Sequence, residues 1–491
     1  MSEEWCREKL EKLQVSEERM NTLEQIRDHL TQNPSLEAAV TRNFLVSPEF
    51  FSCADETCGS EQVALTCDIL TICLSHLDLD TPNFSRLLEP SLSHQNQNVR
   101  LLALNELIRI LHRRPDINTF NENLTIAVIK CLESQLTTVG SAAIEILSKI
   151  LLVSYKENAI KTNLLQLLEQ RDVVRCRVYE VAVNLARASP EMLDEVEPII
   201  SRMIGELDSD DILFKLNLLE LLVILAEQNH GVVYLEEKGV FQLVTRQVEE
   251  VSKHPLGSIL IPGYMKFFGK IAYSQPQRII LGYPRMVHSL FDCILAGEIG
   301  AMPTALDTLG NLAHSSQGKI ILDSTYSERM REALESLGHS FRNYPTDLKV
   351  RAFNAFEVVF KTEGIASNEI IEITKKWHQQ LTGYADFRFL LEFSKNPFPD
   401  IKIACLSLVK TLCTYQWGIL ALRDTAGFVE FLMDRRVEFN KDALFLKYDI
   451  NGILANTADV FDAHTLLQLK RYVEDGVLYI EGVIEVAVDG S

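Results

Sequence analysis

The stretch Arg171–Glu191, RDVVRCRVYEVAVNLARASPE, contains a helical pattern that recurs along most of the chain. Its apolar residues recur at three- and four-residue intervals and therefore lie on one face of a helix. They are Val174, Val178, Val181, Ala182 and Leu185. Pro190 follows shortly afterwards, and a proline cannot continue a helix because it lacks a backbone N–H. The stretch therefore predicts an amphipathic helix that ends near Ala186.

Helices of this kind end at nine positions that can be aligned along the sequence. The final residues are Leu111, Leu151, Ala186, Ala226, Ala272, Ala313, Phe360, Cys413 and Ala455. Successive ends are 35 to 53 residues apart, which brackets the roughly 40–47 residues of HEAT and armadillo repeats. The spacing predicts an all-α fold, a curved HEAT/armadillo-like helical-repeat solenoid. The alternative is an irregular helical bundle with accidental periodicity, and nine helices in phase argue against it.

Glycines mark the segments that follow three of these helices. Gly231, Gly318 and Gly418 each precede an apolar run, and a glycine or small polar residue comes about nine residues later, at Gly239, Ser327 and Gly427. Glycine tolerates backbone conformations that stop a helix. The pattern predicts a short helix between two such breaks, as in armadillo repeats.

The two ends of the chain differ from the repeats. Residues 1–97 predict an N-terminal helical cap with irregular repeats, in which residues 1–30 form one amphipathic helix over the first repeat. Residues 98–475 contain the armadillo/HEAT-like repeats. Residues 476–491 predict an extended C-terminal tail, because Leu478–Val488, LYIEGVIEVAV, is rich in β-branched residues and lacks helical periodicity.

The composition limits the classes of partner. The 491-residue chain has 68 acidic and 48 basic residues and a net charge of −20. Such a surface repels phosphate backbones, so we expect no nucleic acid and a basic protein partner instead. No stretch approaches the roughly 18 uninterrupted apolar residues of a membrane span, and the charged N-terminus lacks the apolar core of a signal peptide. We expect no membrane association, a monomer when free, and a cytoplasmic location with the nucleus as a second compartment.

Patterns that indicate catalysis or a cofactor are missing from the sequence. There is no phosphate-binding glycine loop, no H-E-x-x-H and no G-x-S-x-G. Most of the ten cysteines fall inside apolar helices, which is typical of buried free thiols. The one cluster, Cys53, Cys58, Cys67 and Cys73 with His76 nearby, does not match common zinc spacings. We therefore expect no enzyme activity, no cofactor and no metal.

Several long motifs resemble one protein family and occur in the right order. They are RDVVRCRVYEVAVNLARASPE, IPGYMKFFGKIA, ALDTLGNLAHSSQGK, NPFPDIKIACLSLVKTLCTYQWG and GFVEFLMDRRVEFNKDA. The chain resembles the proteasome non-ATPase regulatory subunit 5 (S5b) family from about residue 60 onward. This resemblance implies an assembly chaperone of the proteasome regulatory-particle base. Such a protein binds the C-terminal domain of one AAA-type ATPase subunit, the one called regulatory subunit seven, escorts associated base subunits and leaves before the mature proteasome forms.

A polar stripe follows the repeats. We define it as the residues two and six positions before each of the nine helix ends, because these pairs lie four apart on one helix face. Its members are Asn105, Arg109, Glu145, Lys149, Glu180, Asn184, Glu220, Ile224, Lys266, Lys270, Asp307, Asn311, Asn354, Val358, Ser407, Thr411, Asp449 and Ile453. Fifteen of these eighteen residues are polar within apolar helices. The stripe predicts the floor of a partner-binding groove, and the alternative is a merely solvated face.

The residues we expect to bind the partner are the central part of this stripe and two aromatic neighbours. They are Glu145, Lys149, Tyr179, Glu180, Asn184, Glu220, Tyr264, Lys266, Lys270, Asp307 and Asn311. The tyrosines are candidate interface anchors, and their alternative role is core packing. A rival hypothesis is an armadillo-type adaptor for another basic protein or peptide. Such peptide-binding grooves usually carry tryptophan–asparagine ladders, and none of the three tryptophans lies on the stripe.

Overall fold

The computed structural model describes residues 3–32, 43–45, 47–75, 84–113, 120–251, 257–436, 438–457 and 459–478. Of the described residues, 79% are helical and none lies in a strand. This confirms the all-α prediction. The chain divides into two compact units, residues 1–233 and 234–491.

The first unit contains the following helices. They are α1 (Glu3–Lys12), α2 (Arg19–Gln32), α3 (Pro48–Phe51), α4 (Ser60–Ser75), α5 (Phe84–Leu92), α6 (Gln97–Arg113), α7 (Glu122–Lys130), α8 (Thr137–Ser154), α9 (Asn158–Leu167), α10 (Asp172–Ala186), α11 (Pro190–Gly205) and α12 (Ile212–Ala226). Helix α13 (Asn229–Glu237) contains the boundary between the units.

The second unit continues with the remaining helices. They are α14 (Val240–Val251), α15 (Gly257–Ser274), α16 (Pro276–Gly282), α17 (Pro284–Ala296), α18 (Met302–Leu312), α19 (Ser316–Thr325), α20 (Ser327–Ser340), α21 (Thr346–Phe360), α22 (Asn368–Thr382), α23 (Arg388–Ser394), α24 (Pro399–Leu412), α25 (Gln416–Arg423), α26 (Phe428–Met433), α27 (Lys441–Ala455) and α28 (Ala463–Glu474).

Each unit is built around one layer of successively packed helices. In the first unit α6, α8, α10 and α12 pack in this order, and we call them the first stack. In the second unit α15, α18, α21, α24 and α27 do the same and form the second stack. The nine stack helices end within three residues of the nine predicted positions. This agreement confirms the HEAT/armadillo-like repeat fold.

The number of helices in a repeat explains the uneven spacing. In the first unit one helix separates successive stack helices, and their predicted ends are 35 to 40 residues apart. In the second unit two helices separate them, for example α16 and α17 between α15 and α18, and the ends are 41 to 53 residues apart. The shorter repeats are therefore HEAT-like helix pairs, and the longer ones are armadillo-like triplets.

The glycines around the short helices have two different roles. Gly239 and Gly427 have φ angles of 71° and 79°, so they break the helix as predicted. The predicted short helices are present, but Gly231, Gly318 and Gly418 are each the third residue of such a helix and do not form the break before it. A Cβ atom at any of the three would lie 2.0 to 2.1 Å from a carbonyl oxygen in the preceding stack helix. Close approach of two backbones, rather than a turn, requires glycine there.

The N-terminal segment folds back on itself. The prediction of one helix over residues 1–30 is wrong, because α1 and α2 are separated by a turn in which the Arg19 guanidinium donates to the Leu13 carbonyl at 2.8 Å. The reversal lets Leu13 in the turn and apolar residues of both helices, such as Cys6 and Leu23, share one core with α4 and with Leu102 of α6. The predicted extended tail comprises residues 476–491, and the part of it after Leu478 lies outside the described residues.

Within the described ranges, one helix, Thr137–Ser154, has the length and apolar composition that a membrane-crossing helix needs. Half of this stretch is buried inside the structure, where it packs between α6 and α10. Helices α16 and α17 pass the same test only as a pair and are bent by 86° relative to each other. Packing within the stack accounts for the apolar composition of α8.

His378 on α22 is buried among aromatic rings. Its ring centroid lies 5.1 Å from that of Phe387 and 5.3 Å from that of Trp417. Within the described residues, neither of its ring nitrogens has a hydrogen-bond partner. Burial lowers the pKa of His378 to about 4, although nearby Asp386 opposes the shift. The folded protein therefore holds this imidazole in the neutral form.

We expect the second unit to lose stability in mild acid because of His378. A histidine in an unfolded chain titrates near pH 6.5. The stability that the neutral form of His378 contributes is therefore complete above that pH and is lost as the pH falls toward 4. The loss should reach about 2 kcal/mol at pH 5, at about 1.4 kcal/mol per pH unit. Urea unfolding of wild type and His378→Phe at pH 7 and pH 5 measures it. An equal loss in both proteins would contradict the assignment to His378.

Candidate functional site

The polar stripe is accessible in both units. All of its members are at least partly exposed, although they lie on helices that are packed on several sides. In the first unit they lie on the successive helices of the first stack, and in the second unit on those of the second stack. Their binding to a partner stays a prediction.

Glu145 and Lys149 form a surface ion pair on α8. Their side chains are 2.8 Å apart, and the carboxylate also lies 3.3 Å from Nε2 of His112 on α6. The Lys149 hydrogen bond lowers the pKa of Glu145. Both charges are therefore satisfied within the chain and are open to solvent.

Glu180 and Asn184 are half-buried on α10, one turn apart. The Asn184 amide donates to the hydroxyl of Ser148 on α8 at 3.1 Å. Burial raises the pKa of the Glu180 carboxyl, and the charge of Arg177 opposes this shift. Glu220 occupies the corresponding position on α12 and is exposed.

Arg177 is buried beneath the surface that carries Glu180. Its guanidinium donates to the carbonyl oxygens of Leu132 and Ser134 at 2.7 and 2.6 Å. It occupies the space over Gly140 of α8, where a Cβ atom would lie 2.4 Å from the guanidinium carbon. Arg177 thus ties α10 to the loop before α8, and its donors face backbone oxygens.

The stripe residues of the second unit differ in their partners. Lys266 and Lys270 are exposed on α15, and Asn311 is partly exposed on α18. Asp307 forms an ion pair with Arg351 of α21, in which Nε and Oδ1 are 3.1 Å apart. Arg351, which belongs to the next repeat, therefore neutralises Asp307.

The two candidate tyrosines do not form surface. Tyr179 and Tyr264 are fully buried, and the Tyr264 hydroxyl donates to Gln247 at 3.0 Å. One residue turns a helix by about 100°, so Tyr179 points away from its neighbour Glu180 and into the core. This placement favours the core-packing role for both rings.

Two exposed apolar residues extend the stripe and were missed in the sequence. Val173 on α10 and Leu213 on α12 are 54% and 72% exposed. Each precedes a stripe glutamate, Glu180 or Glu220, by seven residues, which places it on the same helix face. The seven-residue spacing in the sequence could have indicated that these residues share the face of the stripe. An apolar residue in a helix is equally consistent with a buried position, so the sequence did not distinguish the two.

The described residues contain no group of three or more histidine, cysteine or acidic side chains that could hold a metal ion. His76, one member of the cysteine-rich cluster, lies outside them. Burial raises the pKa of both Cys67 and Cys73 to about 12. These thiols are therefore protonated at neutral pH.

Comparisons with known proteins give related sequences over the whole chain. The family model described as "Proteasome non-ATPase 26S subunit" matches residues 2–491. A Drosophila melanogaster protein named 26S proteasome non-ATPase regulatory subunit 5 is 34% identical over 500 residues, which cover 100% of this chain and 99% of the relative. The Homo sapiens protein of the same name is 28% identical over 418 residues, 82% of each chain. Among solved structures, yeast importin-beta (Kap95p) aligns with a TM-score of 0.53 and 13% identity over 93% of this chain and 63% of that one, which shows a shared fold.

Proposed function

Because the chain belongs to the proteasome non-ATPase 26S subunit family, we propose that it is a non-catalytic assembly chaperone of the proteasome regulatory-particle base. It binds the C-terminal domain of an AAA ATPase subunit of the regulatory-subunit-seven type, together with associated base subunits. It leaves before the mature proteasome forms. The observation that carries this proposal is the full-length similarity to proteins named as a proteasome regulatory subunit.

The structure supports a binding role in physical terms. Successive stack helices in each unit present a row of accessible polar side chains, and repeat proteins commonly use such extended surfaces to hold partners. The net charge of −20 attracts basic surfaces and raises their association rate. The exposed stripe residue Glu220 adds local negative charge. We place the binding in the cytoplasm, with the nucleus as a second compartment.

Purification of the tagged chain from its native source tests the proposal. We expect to recover base ATPase subunits in incomplete complexes, because an assembly chaperone leaves before maturation. For the same reason, complexes that contain the chain should be fewer than mature proteasomes. Native gel separation followed by mass spectrometry identifies them. Recovery of mature proteasomes with the chain as a stoichiometric component would contradict release. Recovery of unrelated basic proteins without ATPase subunits would favour the adaptor hypothesis.

A further inference from the structure

Glu180 differs from the other acidic residues of the stripe in its surroundings. Within the described part of the chain, its carboxylate forms no hydrogen bond or ion pair. The nearby cation, Arg177, directs its donors to backbone carbonyls instead. In contrast, Asp307 is paired with Arg351, and Asp449 lies 2.7 Å from Lys410.

This arrangement leaves Glu180 with an uncompensated loss of hydration. A half-buried carboxylate is less well solvated than a free one, and burial accordingly raises its pKa. A cation supplied from outside would restore the missing interaction at a site that is already partly desolvated. Charge pairs formed in such places are stronger than pairs in open water.

Apolar surface lies about two helical turns from this carboxylate on the same helix face. Val173 and Leu213 occupy equivalent positions on α10 and α12, each seven residues before a stripe glutamate. Seven residues of helix span about 10 Å, and packed helices lie about 8–10 Å apart. The four residues Val173, Glu180, Leu213 and Glu220 therefore form a square with sides of about 10 Å. One side of the square is apolar and the opposite side is acidic.

We propose that this square is the docking site for a basic amphipathic helix of the partner. The helix crosses α10 and α12, places apolar side chains seven positions apart against Val173 and Leu213, and directs a lysine or arginine to Glu180. The acidic and apolar sides of the square match the two sides of such a helix in charge and polarity. The site rests on the proposed function, since the partner is the ATPase assigned there.

Affinity measurements on the full-length chain test the site. The variants are Glu180→Gln, which keeps the shape and removes the charge, and Leu213→Ser, which removes apolar surface. We expect Glu180→Gln to weaken ATPase binding about tenfold, equivalent to about 1.4 kcal/mol, and Leu213→Ser about fivefold. The affinity of Glu180→Gln should also depend less steeply on salt. Its thermal unfolding midpoint should equal or exceed that of wild type, because the variant no longer places a charge in a poorly hydrated position.

Matched controls lie on the other helices of the same unit. Asp194→Asn removes an exposed charge on α11, and Leu165→Ser removes a 44% exposed leucine on α9. Both should bind like wild type. Unchanged binding by Glu180→Gln and Leu213→Ser, or equal losses in the controls, would overturn the site and leave the proposed function intact. Failure of the wild-type chain to bind any base ATPase would overturn both.

Discussion

Replacing Gly418 with alanine is expected to destabilise the second unit by about 3 kcal/mol. Gly418 lies in the first turn of α25, and a Cβ atom on it would lie 2.0 Å from the carbonyl oxygen and 2.7 Å from the carbonyl carbon of Leu412. Both atoms are backbone atoms at the end of α24, so neither can rotate away. The two helices must separate, and the apolar contacts between them weaken. Urea unfolding followed by circular dichroism measures the loss.

Gly452 provides the matched control, because it also lies in a helix of the second unit. A Cβ atom on Gly452 would meet nothing within 4 Å. Alanine favours a helix over glycine by about 0.5–1 kcal/mol, so Gly452→Ala should raise the stability by this amount. If Gly418→Ala also raised it, the close approach to Leu412 would not be the reason for glycine at that position.

The repeat fold could be predicted because its signal is local and recurs nine times. A stack helix must bury one face against its neighbours, so apolar residues appear at helical spacing in every repeat, as in Val174 to Leu185. Proline and helix-capping residues then limit the ends. The predicted end at Ala186 coincides with the last residue of α10. Local patterns of this kind survive without any knowledge of tertiary contacts.

Contacts between repeats could not be predicted in the same way. The glycine pattern predicts a break at Gly418, since the sequence shows that a glycine is present but not which backbone approaches it. The break between α1 and α2 also depends on a tertiary contact, the shared core of both helices with α4. Periodicity alone continues through such a turn, so it predicted one helix.

The accessibility of the polar stripe could be predicted, but the partners of its charged residues and the burial of Tyr179 and Tyr264 could not. Spacing alone placed Glu180 and Asp307 on accessible helix faces, and the structure has them there. Their partners lie elsewhere in the sequence: Arg351, which neutralises Asp307, is separated from it by 44 residues. Whether an acidic residue has an ion-pair partner within the chain therefore depends on which helices pack against it. The distinction between Glu180 and the paired acids needed the structure.

Lys319 is a buried residue that joins two repeats of the second unit. Its side chain is fully buried, and the ammonium donates to the carbonyl oxygens of Ala313 at 2.7 Å, His314 at 3.0 Å and Lys361 at 2.8 Å. The first two follow the end of α18, and the third follows the end of α21. These carbonyls lack partners within their own helices, and their partial negative charges favour a cation. Burial lowers the pKa of Lys319 to about 8, so the group still carries its charge at neutral pH.

Lys319→Met is expected to destabilise the second unit by about 3 kcal/mol, because two opposing effects differ in size. Loss of three charge-assisted hydrogen bonds costs about 1.5–3 kcal/mol each, and the freed carbonyls remain buried. Removal of a poorly hydrated charge returns about 3 kcal/mol, the equivalent of the lowered pKa. The lost hydrogen bonds should prevail. Urea unfolding at pH 7 measures the change, and Lys375→Met, at an exposed position on α22, should leave the stability within about 0.5 kcal/mol of wild type. A stability of Lys319→Met equal to or above that of wild type would mean that the cost of burying the ammonium outweighs its three bonds to the helix ends.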